Sequence, residues 1–130
     1  MSSLDRTLAG DVLVHHLTDD EMLVDRSLVD EHGRSARTLV KEGPLRVTII
    51  ALGKNGNLPA HSAAGPISIQ LLEGDITVSA AGKDYLLAPR DLLVIAAGIE
   101  HSARSVAGGA FLLTVVHEAK AVAKAGSETV

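Results

Sequence analysis

HSAAGPISIQLLEGDITV, residues 61–78, is followed at residues 96–105 by AAGIEHSARS. In both stretches, short runs that alternate apolar and polar residues are separated by glycines, a pattern typical of a small antiparallel barrel. Each stretch places one histidine near a predicted strand end, His61 in the first and His101 in the second. Imidazole is a metal ligand or a proton carrier near neutral pH, so the two histidines indicate a site if the barrel brings them together.

The same alternation predicts nine short strands, and turn-forming residues separate them. The strands are predicted at residues 37–41, 45–52, 58–62, 67–72, 76–80, 84–87, 92–96, 101–106 and 110–117. The dipeptide Asn55-Gly56 favours a tight hairpin between the second and third of them.

The N-terminal third of the chain carries helix signals instead. Residues 18–21 read TDDE, a capping box that predicts a helix over residues 19–32, and Gly33 can end it in the left-handed conformation. We expect this helix to lie against the outside of the barrel. The predicted organisation is an N-terminal extension at 1–38, a barrel at 39–117, and a C-terminal tail at 118–130 that forms a frayed end or a docking strap.

Composition narrows the class of protein. The 130 residues suffice for one domain, and with 46% hydrophobic but only 2% aromatic residues the core must be built from aliphatic side chains. A net charge of −4 opposes binding to nucleic acid and to anionic membranes. Without a membrane-length apolar run or a secretory signal, the expected location is the cytoplasm. Without cysteine, any metal must be held by histidine and carboxylate.

The segment from about residue 39 to residue 116 resembles the cupin superfamily, whose two motifs place metal ligands at the mouth of a double-sheet barrel. The first motif is G-x5-H-x-H-x3-4-E-x6-G, and His61 and Gly74 match its first histidine and last glycine. Asn55, Ala63 and Ile67 stand at its first glycine, second histidine and glutamate. The resemblance implies an all-β double-stranded β-helix, a jelly-roll barrel, with one short N-terminal helix.

The second motif, G-x5-P-x-G-x2-H-x3-N, is matched by Gly98 and His101. Arg90, Ala96 and Ser105 replace its first glycine, its proline and its asparagine. Arg90 in place of glycine predicts a turn without a positive φ angle, or a turn that is built differently. Two of the family's metal ligands, including the carboxylate, are therefore missing from this chain.

The alternation of strand residues and the motif alignment together predict which side chains line the barrel interior. If His61 and His101 point inward, the predicted ligand-binding set with them is Ile67, Ile69, Ala103 and Ser105. This set is mostly apolar, as expected of a pocket for a small organic molecule.

A metal site needs more than two imidazoles, since catalytic zinc typically keeps three protein ligands. His61 and His101 are the predicted ligands of a weakly held divalent ion, Zn, Mn, Fe or Ni. The candidates for a third ligand are His117, Gln70, Glu100, the His15-His16 pair or the bound substrate, and no spacing selects among them. Arg46 and Arg104 are candidates for contact with an anionic ligand, although arginine on an outer barrel face is commonly just solvated.

Three functions fit these residues. The first is a binding protein whose apolar pocket holds a small organic ligand oriented by His61 and His101. The second, implied by the resemblance, is a metal-dependent oxygenase or isomerase. The third is a metal-free isomerase in which one histidine is the general base and Ser105 or Tyr85 orients it. Whether the chain is an enzyme is left open.

Apolar residues also occur at strand positions that alternation assigns to the outer surface. They are Ile50, Leu52, Leu72 and Leu86. Exposed apolar patches of this kind mark interaction surfaces, so the pattern predicts a homodimer.

Overall fold

Two antiparallel sheets enclose the interior of the protein in the computed structural model, which describes residues 11–18 and 23–117. The strand order is β1-β2-β9-β4-β7 in the five-stranded sheet and β3-β8-β5-β6 in the four-stranded sheet. Apart from β1–β2 and β5–β6, strands that neighbour each other in a sheet are not consecutive in the chain, as expected of a jelly-roll barrel. The all-β prediction is confirmed, with one short helix in the described residues. No helix among these residues is long and apolar enough to cross a membrane.

All nine predicted strands are present, and most begin or end within a few residues of the predicted bounds. The elements are α1 Arg26–His32, β1 Arg34–Glu42, β2 Leu45–Leu52, β3 Asn57–His61, β4 Ile67–Gly74, β5 Ile76–Ala80, β6 Lys83–Leu87, β7 Leu92–Ile95, β8 His101–Arg104 and β9 Gly109–Val116. Because β1 begins at Arg34, the first strand starts inside the predicted extension at 1–38. The predicted tail at 118–130 lies outside the described residues.

The hairpin predicted at Asn55-Gly56 is wrong. Strand β2 pairs with β1 and β9, whereas β3 pairs with β8, so the connection crosses from one sheet to the other. Asn55 does take the left-handed conformation that the dipeptide favours, with φ 60°. Its backbone N–H donates to Val106 O at 3.1 Å, which ties the crossing to the chain between β8 and β9. The local turn chemistry was predicted, but the partner strand was not.

The main hydrophobic core lies between the two sheets. Branched residues of β4 and β5 face each other there, among them Leu71 and Val78, which are fully buried, and Phe111 of β9 packs with them. Period-two alternation is clearest in β4 and β5, where every second residue from Ile67 to Leu71 and from Ile76 to Ala80 lies in this core. The low aromatic content is therefore accommodated by a core of aliphatic side chains in which Phe111 is the one buried phenyl ring of the described residues.

A second core covers the outer face of the five-stranded sheet. Leu23 and Val24 precede α1 and pack with Val29 of that helix against Ile49, Ala51 and their neighbours on β1, β2 and β9. The helix therefore lies against the outside of the barrel, as expected. It begins at Arg26 rather than residue 19, because Asp25 is extended and caps it by accepting from Leu28 N–H. Residues 19–22 lie outside the described residues, and Gly33 ends the helix with φ 82° as predicted.

The prediction that Ile50, Leu52 and Leu72 face solvent is wrong. Ile50 and Leu52 face the main core, and Leu72 packs against the second core beneath the N-terminal segment. Of the predicted outward set, only Leu86 is well exposed, at 73%. Ile50 and Leu52 were assigned to the wrong face of β2, whereas Leu72 does lie on the outer face, which a second layer covers and which alternation alone does not separate from solvent.

Arg90 keeps the positive backbone angle that a glycine would supply at this position. Its φ is 80°, and its N–H donates to Leu71 O at 2.7 Å. The expectation of a turn without positive φ is therefore wrong, and the turn geometry survives the loss of the glycine. Gln70 Nε2 donates to Arg90 O at 3.4 Å, so Gln70 is engaged on the outside of the barrel.

Asp75 organises the opposite end of the barrel from the two histidines. Its carboxylate accepts hydrogen bonds from the backbone N–H groups of Val106 and Ala107 at 3.0 and 2.9 Å, and from the Ser105 hydroxyl at 3.1 Å. The two backbone bonds, followed by the Ser105 bond, hold the pKa of Asp75 below its ordinary value of 3.8. This network joins the start of β5 to the loop that follows β8.

We expect the stability of the protein to fall in acid through this carboxylate. A lowered pKa in the folded state adds stability above the unfolded pKa, and that stability is lost as the pH falls through the folded value. Asp75→Asn should cost about 2 kcal/mol of unfolding free energy at neutral pH, because charge-assisted hydrogen bonds are lost. Urea denaturation at several pH values should show the gap to wild type closing below about pH 5. A gap that stays constant into acid, or an equal loss in Asp11→Asn, would contradict this role.

Candidate functional site

His61 and His101 meet across the β3–β8 pair, directly opposite each other in the register. A register shift between Leu58 and His61 accommodates one extra residue in β3 at Pro59-Ala60, since proline cannot donate to a strand ladder. The two rings lie with their centroids 4.4 Å apart and tilted by 60°. Two imidazoles that are forty residues apart in sequence are thereby in contact.

Both rings are oriented in the same way, by the backbone carbonyl of the residue two positions earlier in the chain. His61 Nδ1 lies 3.2 Å from Pro59 O, and His101 Nδ1 lies 3.0 Å from Ile99 O. A carbonyl oxygen only accepts, so Nδ1 carries the proton in each ring. In a neutral imidazole the other nitrogen is then unprotonated, which leaves Nε2 of both rings with a lone pair for a ligand. The carbonyl two residues before each histidine fixes this tautomer.

The pair lies at the boundary between core and solvent. His101 is 6% exposed, whereas His61 is exposed. His101 also faces Ala80 across the β8–β5 pair, and Ala63 beyond β3 packs against the main core. The predicted lining residues Ile67, Ile69 and Ala103 point inward and are buried in that core. The pair therefore borders the apolar core on one side, whereas the cavity that His101 lines on the other side also contains Lys83, Asp84 and Glu100.

The prediction for Ser105 needs correction. Its side chain is 3% exposed but donates to Asp75 and accepts from Gly108 N–H at 2.8 Å, so it belongs to the Asp75 network. His101 is oriented by Ile99 O and not by Ser105 or Tyr85. Sequence reasoning missed this because backbone carbonyls carry no residue-specific signal.

The other candidate polar residues are engaged elsewhere. His15 Nε2 donates to Leu39 O at 3.0 Å and fastens the N-terminal segment to β1. Arg46 donates to Leu45 O at 3.1 Å, within its own turn. Arg104 pairs with Asp84 at 3.0 Å on the outer face of the four-stranded sheet. There the Ser79 hydroxyl, and then Arg104, hold the pKa of Asp84 below its usual value.

The ligand set of a resident metal is incomplete in the described residues. The cupin resemblance implies such a metal, and the two Nε2 atoms suit one. Among residues 11–18 and 23–117, however, no group of three histidine, cysteine or acidic side chains could hold an ion together. His15, His16, Glu100 and His117 therefore do not join the pair. Ala63 and Ile67 occupy the positions where the family supplies the missing ligands, so the donor set does not fit a resident metal.

The backbone frame of the motif is nevertheless retained. Gly98, with φ 81°, donates its N–H to Ala63 O at 2.8 Å. This bond joins the second motif to the position of the first motif's second histidine. The backbone hydrogen bond between the two motif segments is thus present, but residue 63 is an alanine and carries no metal-ligating side chain.

Comparisons with known proteins agree with this architecture. No family model matches the chain, and no curated protein matches it. A crystal structure of a conserved protein of unknown function from Streptococcus pyogenes, SPY1581, superposes with a TM-score of 0.69 at 27% identity. The match covers 92% of this chain and 97% of that one.

Two further solved structures carry names that indicate the fold. An RmlC-like cupin from Shewanella frigidimarina has a TM-score of 0.63 at 19% identity, over 69% of this chain and 81% of that one. Salicylate 1,2-dioxygenase from Pseudoaminobacter salicylatoxidans has a TM-score of 0.67 at 17% identity, over 75% of this chain. This chain spans only 31% of that enzyme. The protein described here therefore has the double-stranded β-helix fold of the cupin superfamily.

Proposed function

We propose that this protein binds a small organic molecule at the mouth of its barrel, oriented by His61 and His101. The observation that carries the proposal is the shared orientation of the two rings, whose Nδ1 atoms face backbone carbonyls. Both Nε2 atoms are then hydrogen-bond acceptors beside an apolar interior. A site of this kind suits a ligand with an apolar body and adjacent hydroxyl donors.

A metal-dependent activity, such as the dioxygenase named among the structural neighbours, receives less support from the side chains. It needs a third ligand, and the described residues supply two imidazoles only. A metal-free isomerase needs a substrate atom within reach of one Nε2. The proposal is therefore limited to binding.

The binding experiment uses catechol as the probe, since it carries two adjacent hydroxyl donors on an apolar ring. We expect His61→Gln and His101→Gln each to weaken catechol binding about tenfold, which corresponds to the loss of one hydrogen bond. An NMR titration of ¹⁵N-labelled protein at about pH 8 measures the affinities. Guaiacol, the monomethyl ether of catechol, should bind more weakly than catechol to the wild type.

His117→Gln is the matched control, because His117 is an exposed histidine at the end of β9. It should leave catechol affinity unchanged. Equal affinities in all three variants would place catechol away from the pair and contradict the proposal. So would guaiacol and catechol binding equally well, because the two acceptors would then have no role.

We also propose that two copies of the chain associate through the outer face of β4 and β7. The N-terminal segment covers the β1-β2-β9 part of this sheet, but Leu92 and Val94 on the edge strand β7 are 61% and 64% exposed. They flank Gln70 and Ser68 of β4 in the register. Apolar residues grouped on a part of the sheet face that residues 11–18 and 23–117 leave exposed favour a second copy as the occupant.

Replacing Leu92 and Val94 together by lysine tests this association. Because like charges would then face each other across a two-fold interface, we expect the double variant to elute as a monomer. Size-exclusion chromatography with light scattering measures the mass. A wild-type monomer at about 100 μM, a concentration at which micromolar dimers are mostly assembled, would contradict the proposal.

A further inference from the structure

We infer a second ligand site, separate from the histidine pair, for a monocarboxylate with an apolar chain. The site is a cavity of about 520 Å³ at the side of the barrel, between α1 and the first residues of β1 and β3. Its volume lies in the range of small-molecule sites, about 300–1,000 Å³. The side chains that matter to the argument are apolar Leu28, Ala36, Ile50 and Leu58, and basic His32 and Arg34.

The cavity opens where the two sheets do not pair. Strand β1 is an edge of the five-stranded sheet and β3 is an edge of the four-stranded sheet. Ala36 faces Ile50 across the β1–β2 pair. Ile50 and Leu58 are partly buried residues that pack against the main core, so the cavity exposes apolar surface continuous with the barrel interior. An aliphatic chain would cover that surface.

The positively charged side chain of Arg34 lies at the rim of the cavity, beside its apolar lining. Arg34 Nη1 donates to Asn57 O at 3.3 Å and so holds the guanidinium across the opening from β1 to β3. Guanidinium has five N–H donors, and this bond uses one of them. His32 lies 3.8 Å from the Glu31 carboxylate, which leaves Arg34 as the rim group best suited to a ligand carboxylate. One cation above an aliphatic floor complements an alkyl carboxylate.

An NMR titration of the full-length ¹⁵N-labelled chain with sodium octanoate tests this inference, with 1-octanol as the uncharged comparison. We expect octanoate to bind at least tenfold more tightly than octanol and to shift the amides of Ala36 and Leu58. Arg34→Gln should bring octanoate affinity down to that of octanol. Ala36→Leu should weaken the binding of both octanoate and octanol tenfold or more. The exposed Ala36 side chain lines the cavity, and a leucine there would fill it.

Lys41→Gln is the charge-matched control, since Lys41 is exposed at the other end of β1. It should leave octanoate affinity unchanged, and so should His101→Gln. Equal weakening by Lys41→Gln and Arg34→Gln would show that only net charge matters and overturn the inference. Octanoate binding that is lost in His101→Gln would place octanoate at the histidine pair and overturn it as well. Because the probe and variants differ from the catechol experiment, either proposal can fail without the other.

Discussion

Gly74→Ala is expected to lose about 4 kcal/mol of unfolding free energy or more, which is most of the stability of a typical small domain. Gly74 ends β4 with φ 80°, and it pairs with Gly109 at the closed end of the barrel. A Cβ atom added there would stand 2.1 Å from Gly108 O and 2.6 Å from Gly109 Cα. These are backbone atoms of a neighbouring segment, so no side-chain rotation relieves the overlap.

Gly82→Ala separates this clash from the cost of the backbone angle. Gly82 has nearly the same angle, φ 79°, but a Cβ there would meet nothing within 4 Å. Its substitution should therefore cost about 1–2 kcal/mol, the penalty for placing an L-residue in the left-handed conformation. Urea denaturation followed by circular dichroism measures both variants. Equal stabilities for the two would contradict the close approach of β4 and the segment before β9.

Ala63→His is expected to raise the affinity of the protein for Ni²⁺ or Zn²⁺ by about a hundredfold, because a third imidazole completes the ligand number of a catalytic zinc site. Ala63 stands two residues after His61, and its carbonyl is held by Gly98. Ala63 follows the end of β3 and packs against the main core, so the new ring should lie on the inner side of this segment, close to the pair. Isothermal titration with each metal measures the change.

Ser62→His is the matched control for this gain. Ser62 is exposed, whereas the adjacent Ala63 packs against the main core, so the two side chains lie in different surroundings. It adds the same imidazole to the same segment without facing the pair. Metal affinity that rises equally in both variants would show that position 63 has no special relation to His61 and His101. No increase in Ala63→His would show that the motif frame is not preserved.

The strands and the meeting of the two histidines were predictable because both depend on short-range patterns. Alternation and turn residues define a strand locally, and the motif alignment placed His61 and His101 on strands that neighbour each other in a cupin barrel. The structure supports this placement through the β3–β8 register. The same local signals did not reveal that Asn55-Gly56 joins strands of different sheets, because strand pairing is a long-range property.

The errors have a common physical origin. Leu72 was assigned to solvent because alternation identifies two faces but not whether a second layer covers one of them, and Leu52 was assigned to the wrong face of β2. Ser105 was assigned to the pocket by the same alternation, although a hydroxyl follows its hydrogen-bond partners, and Asp75 lies thirty residues away. Arg90 shows the converse, since the surrounding hydrogen bonds maintain a positive φ at a residue that rarely adopts it. In all of these cases, contacts between residues far apart in the sequence determine where a side chain lies or which backbone angle a residue takes.

The tautomer of the two histidines tests the account most directly. Long-range ¹H–¹⁵N correlation spectra of histidine-labelled protein at about pH 8 report which ring nitrogen carries the proton. We predict Nδ1–H and an unprotonated Nε2 for both His61 and His101, because Pro59 O and Ile99 O accept from Nδ1. An Nε2–H tautomer in either ring would remove one of the two acceptors and contradict the proposed site.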